Sequence, residues 1–338
     1  MKLPILPVIG LSTVSLLAAT APAVVQAAPP SDWSAIPTRT VTLFYPGQSG
    51  YDIVSGERLE PAPIEGKNGF VDLKVQVAYD DENAYFRYQW ATQMDRPGQM
   101  HNYIRYDGEG WEFYGGPRSS GAVRSGEEPP LYEDRLAMMI DDGTVENFAA
   151  QGCWLSCHSG MRDMPEEASK DDIAPNPVLG SDGLNKSDIR KYLPNSRTGE
   201  DAKWDATKTA EEIAALKAHG QFVDLMQWRA ARSAIVNMAD DGYVLEYRLS
   251  DDGKGPYSWN VDRKTMTPKY MFDADKVGMK AITVGDIGDP SKPYALVRED
   301  NAVAYDPDAG WQEGDILPGR LVSRADANGS AADNDHVT

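Results

Sequence analysis

The sequence predicts a mainly β protein, an antiparallel β-sandwich with a helical, loop-rich insertion at about residues 145–236. Short segments with a period of two recur along the chain and are separated by Gly, Asp and Pro turns, as in sandwich folds. The middle of the chain lacks this alternation and carries helix signals instead. With 338 residues, of which 41% are hydrophobic, the chain is long enough to bury a substantial core.

The clearest strands are predicted in the first third of the chain. Residues 40–45 and 71–77 alternate with a period of two, and the acidic turn at 80–83 leads into the aromatic segment 85–90. The last two strands are predicted to pair as a β-hairpin. Shorter strands are predicted at 102–106, 111–114, 135–140, 243–249 and 302–305.

Helix signals are concentrated in the insertion. Thr209 and Glu212 have the spacing of a capping box, which predicts a helix that ends near Gly220. The period of Leu225, Trp228, Arg229 and Arg232 favours a second helix over 222–235. Ser187 is a candidate cap for a short helix that reaches Tyr192.

The N-terminus has the composition of a secretory signal peptide over residues 1–27. Lys2 precedes an apolar run, and Ala27 is a small residue of the kind that a signal peptidase recognises. The alternative is an uncleaved membrane anchor, which the prolines within the run disfavour. We therefore expect an exported, periplasmic protein with no membrane span in the mature chain, a linker at 28–37 and a single domain over 38–338.

The chain is strongly acidic, with a formal net charge of -19. A surface of this sign repels nucleic acids and anionic lipid headgroups, so neither is an expected partner. A partner protein with a basic patch is expected instead, because opposite charge speeds the encounter of two proteins.

The two cysteines of the chain lie in one short motif, Cys153-Trp-Leu-Ser-Cys157-His158. Two thiols can each form a thioether with a haem vinyl group, and the histidine that follows is then held beneath the iron as an axial ligand. Three residues separate the cysteines, one more than in the usual c-type haem motif.

Two other sites remain open on spacing alone. An exported chain often pairs its cysteines, and a Cys153–Cys157 disulfide would close only a short loop. A zinc site would have three ligands from this motif, one fewer than a closed structural site.

Several segments in order carry a resemblance: HNYIRYDG (101–108), LYEDRLAMMIDDG (131–143), GCWLSCH (152–158), VDLMQWRAAR (223–232) and WQEGDILP (311–318). With them the chain resembles the ethylbenzene dehydrogenase-related family, also described as the cytochrome c-552/DMSO reductase-like haem-binding domain. The resemblance implies a β-sandwich that holds one haem and exchanges electrons with an oxidoreductase partner, a molybdoenzyme or a membrane cytochrome being the candidates. The two cysteines place the chain in a subgroup with covalent haem c.

The sixth iron ligand stays open. A methionine in the haem site of the resembling family favours Met138 or Met139, and His101 is the next candidate. His219, Met226 or an open coordination position are the remaining alternatives. Arg229 and Arg232 are candidate partners for the haem propionates, because a guanidinium matches a carboxylate; the alternative for both is a solvated helix face.

We therefore predict a monohaem c-type cytochrome that transfers electrons and is not itself an enzyme. The rivals are a carbohydrate- or ligand-binding β-sandwich with a disulfide loop, and a haem enzyme with an open sixth position.

Members of the resembling family continue with further strands beyond the segment at 311–318, whereas no alternating apolar segment follows Val322 here. The expectation is that C-terminal strands are missing, through a truncated sequence or an edge that a partner covers.

Overall fold

The structure is a computed structural model that describes residues 30–44, 70–81, 83–91, 102–116, 121–162, 164, 166–329 and 331–333. The predicted signal peptide and His101 lie outside the described residues. The chain divides into two compact units, one up to Ala91 and one from Thr92 onward. Within the described ranges, no helix is both long and apolar enough to cross a membrane.

The first unit contains one antiparallel sheet with its second strand in the centre. Its strands are β1 (Arg39–Phe44), β2 (Phe70–Tyr79) and β3 (Ala84–Gln89). The predicted hairpin is confirmed, because β2 and β3 pair antiparallel along six residues. The side-chain amide of Gln76 donates hydrogen bonds of 2.7 Å to the carbonyls of Trp33 and Ile36, which fasten the segment before β1 to the sheet.

The second unit contains the remaining described strands. They are β4 (Tyr103–Tyr106), β5 (Trp111–Tyr114), β6 (Arg135–Ile140), β7 (Val223–Arg229), β8 (Met238–Asp240), β9 (Gly242–Val244), β10 (Arg248–Ser250), β11 (Tyr257–Trp259), β12 (Tyr270–Phe272), β13 (Ile282–Thr283), β14 (Leu296–Val297), β15 (Ala302–Ala304), β16 (Asp315–Pro318), β17 (Arg320–Val322) and β18 (Ala331–Asp333).

These strands form four sheets. The largest has the order β10-β9-β7-β8-β18, with β6 also paired to β7; the others have the orders β13-β16-β4-β5, β11-β17-β14 and β12-β15. Among the described strands the pairs are antiparallel except β14 with β17. The prediction of a mainly β fold with antiparallel sheets is therefore confirmed.

Helices are short. The α-helices are α1 (Gly121–Ser125), α2 (Phe148–Gln151), α3 (Lys170–Ile173), α4 (Ala210–Ala218) and α5 (Ala274–Val277), and 3₁₀ turns occupy Gly152–Ser156, Pro194–Ser196, Ser233–Val236, Val284–Asp286 and Arg324–Asp326. The capping box of α4 is confirmed: the Thr209 hydroxyl accepts from the Glu212 N–H at 3.2 Å, and the Glu212 carboxylate accepts from the Thr209 N–H at 2.9 Å.

The predicted helix at 222–235 is wrong. Residues Val223–Arg229 form β7, which pairs with β6, β8 and β9 in the middle of the largest sheet. Val223 and Leu225 are buried two positions apart, so this segment has a period of two in addition to the helical spacing of Leu225, Trp228 and Arg229. In so short a segment the pairing partners decide the structure, and the partners here are strands.

Three other predictions need correction. The segment 243–249 is not one strand but two, β9 and β10, which pair with each other. No helix follows Ser187, because residues 187–193 are irregular. A strand does follow Val322, since β18 pairs with β8 although its sequence is Ala-Ala-Asp.

Three groups of buried side chains form most of the core of the second unit. The first core cluster, with Ile104, Phe272 and Ile316 at its centre, lies among β4, β12 and β16. The second core cluster joins α4, β7 and β9 to the motif segment through Leu155, and the third core cluster contains Ile189, Tyr192 and Tyr247. The cysteine motif lies next to the last two clusters.

Thr209→Ala should lower the free energy of unfolding by about 1 kcal/mol, because the Glu212 N–H in the first turn of α4 loses the hydroxyl that accepts its hydrogen bond. Ser187→Ala should leave it nearly unchanged, since Ser187 is exposed and caps no helix. Urea denaturation of the two variants and the parent protein checks this. Equal losses in the two variants would contradict the assignment of the cap.

Candidate haem attachment site

The cysteine motif forms a tight 3₁₀ turn after α2. Cys153 lies inside the turn and is exposed, whereas Cys157 ends it and is partly exposed. The turn is closed by the Cys157 N–H, which donates to the Trp154 carbonyl at 2.8 Å, and by the Ser156 hydroxyl, which donates to the Cys153 carbonyl at 2.8 Å. Leu155 points into the second core cluster, so a buried side chain anchors the turn while both thiols stay accessible.

Both thiols are free in the structure. Lys191, from the irregular segment before the turn at Pro194–Ser196, places its ammonium nitrogen 3.0 Å from the Cys157 sulfur. The same nitrogen lies 3.2 Å from the Cys153 carbonyl oxygen and 3.4 Å from the Ser156 hydroxyl. One lysine therefore holds both ends of the cysteine turn.

His158 leaves the turn and lies against Tyr192. The two rings are stacked, with centroids 4.6 Å apart and planes 21° apart. The His158 backbone N–H donates to the Met161 sulfur at 3.3 Å, which fixes the chain where the ring leaves it. The Nε2 atom of His158 is shielded from solvent and has no hydrogen-bond partner among the described residues.

The surroundings of His158 favour a neutral imidazole. Burial is the largest cause that lowers the pKa of His158, and the positive charges of Arg197 and Lys191 lower it further. An interaction with the backbone of Leu155 opposes this shift. A neutral ring with an unpartnered nitrogen is the form that binds a metal ion.

Tyr192 is itself held firmly. Its ring is fully buried in the third core cluster, and its hydroxyl donates to the Ala202 carbonyl at 2.9 Å. The guanidinium of Arg197 lies over the same ring, 3.9 Å from its centroid. Tyr192 therefore contacts both an imidazole and a buried cation.

The structure places Met138 and Met139 on β6, where they point to opposite faces of the sheet. Met139 is paired with Leu225 and packs against the second core cluster, which also contains Leu155 of the cysteine turn. Met138 is paired with Met226 of β7. Met139 thus shares a cluster with the cysteine turn, whereas His101 lies outside the described residues.

His219 has a different environment from His158. It caps the C-terminal end of α4, is exposed, and its Nδ1 lies 2.6 Å from the Ala215 carbonyl oxygen. Its ring is therefore engaged with the helix to which it belongs.

Arg229 and Arg232 do not lie on a helix face. Arg229 ends β7 and pairs with Asp240, and Arg232 follows the strand and pairs with the buried Glu133 at 3.0 Å. Both guanidiniums lie 5.3 Å from the ring centroid of Tyr257. Both guanidiniums thus form ion pairs with carboxylates of this chain. Their binding to haem propionates stays a prediction.

No group of three or more His, Cys, Asp and Glu side chains among the described residues is arranged to hold a metal ion.

Comparison with known proteins identifies the family. The family model described as ethylbenzene dehydrogenase matches residues 30–338. This chain belongs to the ethylbenzene dehydrogenase family.

A curated relative supports the same placement. The chain is 28% identical over 264 residues to a protein named cytochrome c-552 from Stutzerimonas stutzeri, which covers 68% of this chain and 67% of the relative. No solved structure matches the chain. The predicted family resemblance is therefore confirmed.

Sequence reasoning missed three residues of the site. Lys191, Tyr192 and Arg197 lie more than 30 positions after the cysteines, in a segment without a period, and their contacts with the motif arise from the tertiary fold. A Tyr and two basic residues beside Pro194 are a weak signal, because such residues are common in exposed loops. The sequence therefore predicts the cysteine motif but not the segment that contacts it.

Gly160 follows His158 closely and allows a test of the site's packing. It has a φ of +80°, and a Cβ there would lie 2.2 Å from Cδ1 of Trp204, whose carbonyl accepts from Arg197. Gly160→Ala should lower the free energy of unfolding by ~2–4 kcal/mol, since backbone strain and overpacking add, and should reduce the amount of cofactor-loaded protein.

Gly199→Ala is the matched control, because Gly199 has a φ of +79° and no atom lies within 4 Å of the place that a Cβ would occupy. Gly199→Ala should lower the free energy of unfolding only by the backbone strain of ~1–2 kcal/mol. The amount of cofactor-loaded protein should stay the same. Urea denaturation and absorbance per mole of protein check both variants. Equal behaviour of the two would contradict the packing of Gly160 against Trp204.

Proposed function

We propose that this protein is an exported monohaem c-type cytochrome that transfers electrons to or from an oxidoreductase partner. The observation that carries the proposal is the shielded, unpartnered Nε2 of His158 beside two free thiols. A buried polar atom without a partner is costly, so such an atom calls for a ligand. The relative named cytochrome c-552 supports the same conclusion.

The residues present fit a covalently attached haem. Cys153 and Cys157 are free and accessible, as thioether formation requires, and the one-residue extension of the motif is accommodated within the 3₁₀ turn. His158 follows directly, and its unpartnered Nε2 suits it for axial ligation. When bound, the haem supplies an iron that cycles between ferrous and ferric states.

The chain's own residues then have distinct tasks. Cys153 and Cys157 would hold the cofactor, His158 would bind the iron, and Tyr192, stacked on His158, would fix the plane of the imidazole. We propose Met138 or Met139 as the second iron ligand, and Met139 is the one that packs against the core cluster containing Leu155 of the cysteine turn. A closed six-coordinate site suits an electron carrier, whereas an enzyme needs an open position.

The partner we propose is a redox protein with a basic surface, in keeping with the net charge of -19. Export by the N-terminal signal peptide would place the protein in the periplasm, where covalent attachment keeps the cofactor from being lost by dissociation. The name of the relative, a c-type cytochrome, supports this location.

Covalent attachment predicts that the haem stays with the protein in acidified acetone. Cys157→Ala should retain at most one thioether and give less cofactor-loaded protein, because one of the two bonds is lost. His158→Ala should change the absorption spectrum through loss of the axial ligand. Pyridine haemochrome spectra of the extracted protein check these outcomes, and haem that passes entirely into the acetone would exclude attachment.

Methionine ligation predicts a weak charge-transfer band at the red end of the ferric spectrum, which Met139→Ala should abolish. Met138→Ala is the matched control and should keep the band if Met139 is the ligand. The parent protein should bind carbon monoxide poorly, since both axial positions are filled. Fast binding of carbon monoxide or cyanide by the parent would favour a haem enzyme with an open position.

Electrostatic docking predicts that the rate of electron transfer to a cationic partner falls as salt rises, because the Debye length shrinks to about 8 Å at physiological ionic strength. Stopped-flow kinetics over a series of salt concentrations measures this. A rate that does not change with salt would argue for an apolar docking face or a permanent complex.

A further inference from the structure

Arg197 is a buried cation close to the candidate iron ligand. The residue is 3% exposed, and its guanidinium lies over the Tyr192 ring on which His158 is stacked. One aromatic ring therefore links the imidazole with a positive charge that solvent does not screen.

The charge of Arg197 meets neutral oxygens rather than a carboxylate. Its Nε donates to the Trp204 carbonyl at 3.0 Å, one terminal nitrogen donates to the Ser196 hydroxyl at 2.8 Å, and the other donates to the Glu246 carbonyl at 3.0 Å. These bonds fix the guanidinium in place without cancelling its charge.

Two carboxylates act on Arg197 through space, those of Glu246 and Asp205. Burial raises the pKa of Glu246, which weakens its tendency to carry a compensating charge. Burial also lowers the pKa of Arg197 to about 10, so the guanidinium stays charged at neutral pH. The side-chain charges that act on His158 are those of Arg197 and Lys191, and both are positive.

A positive charge near a haem disfavours the ferric state, because that state carries one more positive charge than the ferrous state. We infer that Tyr192 and Arg197 are positioning residues of the haem site, in which Tyr192 sets the plane of His158 and Arg197 raises the reduction potential. This inference rests on the proposed haem function and extends it to the control of the potential.

Arg197→Gln tests the role of the charge. It removes the charge but keeps an amide donor for the carbonyls, and it should raise the ferric-to-ferrous ratio at a fixed solution potential by about tenfold, which corresponds to ~59 mV for one electron. Arg197→Lys should restore most of the parent potential, because it keeps the charge. Spectroelectrochemical titration of the haem-loaded proteins measures the midpoint potentials.

Arg190→Gln is the control for net charge. Arg190 is two residues from Tyr192, and its charge is paired with Asp188 at 3.0 Å, so its removal should leave the potential close to that of the parent. Equal midpoint potentials for Arg197→Gln and Arg190→Gln would refute the role of the buried charge. A midpoint potential of Arg197→Lys as low as that of Arg197→Gln would refute it too.

The role of Tyr192 is tested separately from that of Arg197. Tyr192→Leu should broaden and shift the electron paramagnetic resonance signals of the ferric haem, because the imidazole loses the ring that fixes its plane. Tyr192→Phe loses only the hydrogen bond to Ala202 and should keep the parent signals. Parent-like signals in Tyr192→Leu would overturn this assignment, whereas a parent protein without haem would overturn the proposed function as well.

Discussion

The contact between His158 and Tyr192 is the interaction on which the candidate site depends. A histidine next to two cysteines is of little use as a ligand if its ring is free to rotate, and the stack at 4.6 Å restricts that rotation. Tyr192 offers a fixed surface because it is fully buried and its hydroxyl is bonded to the Ala202 carbonyl. The third core cluster thus restricts the motion of His158, which directly follows the cysteine turn.

The segment that carries Tyr192 is irregular, and its backbone is fixed by specific bonds instead of by a helix or strand. The Leu193 N–H donates to the Leu245 carbonyl at 2.8 Å, and the Ser196 hydroxyl donates to the carbonyls of Leu193 and Leu245. Such a segment satisfies its backbone groups individually, which a buried loop requires. The reversal that follows β9 therefore helps to determine where Tyr192, and through it His158, is placed.

Local charge at the site is opposite in sign to that of the whole protein. The net charge of the chain is -19, yet Lys191 contacts the cysteine turn and Arg197 lies one ring away from His158. A short-range positive field acts on the imidazole, whereas the negative net charge acts at longer range. The proposed tuning of His158 and the proposed attraction of a basic partner would therefore use separate sets of residues.

Sequence alone indicated the strands of the first unit, the cap of α4 and the cysteine motif, because each has a local pattern. It failed at β7, where a helical period and a period of two coincide over seven residues. It also failed at β9 and β10, since the residues of the reversal between them are themselves buried and resemble the middle of one longer strand. The roles of Tyr192 and Arg197 could not be predicted, because they depend on contacts with residues more than 30 positions away in the sequence.

Membership of the ethylbenzene dehydrogenase family gives the chain its general context, and the cysteine turn distinguishes its proposed mode of haem binding. The measurement that tests this account most directly is tandem mass spectrometry of the tryptic peptide that contains both cysteines, from protein exported to the periplasm. The account predicts one haem mass added to that peptide, with fragment ions that locate it on Cys153 and Cys157. A peptide without haem and two hydrogens lighter than the reduced form would show a disulfide and contradict the central claim.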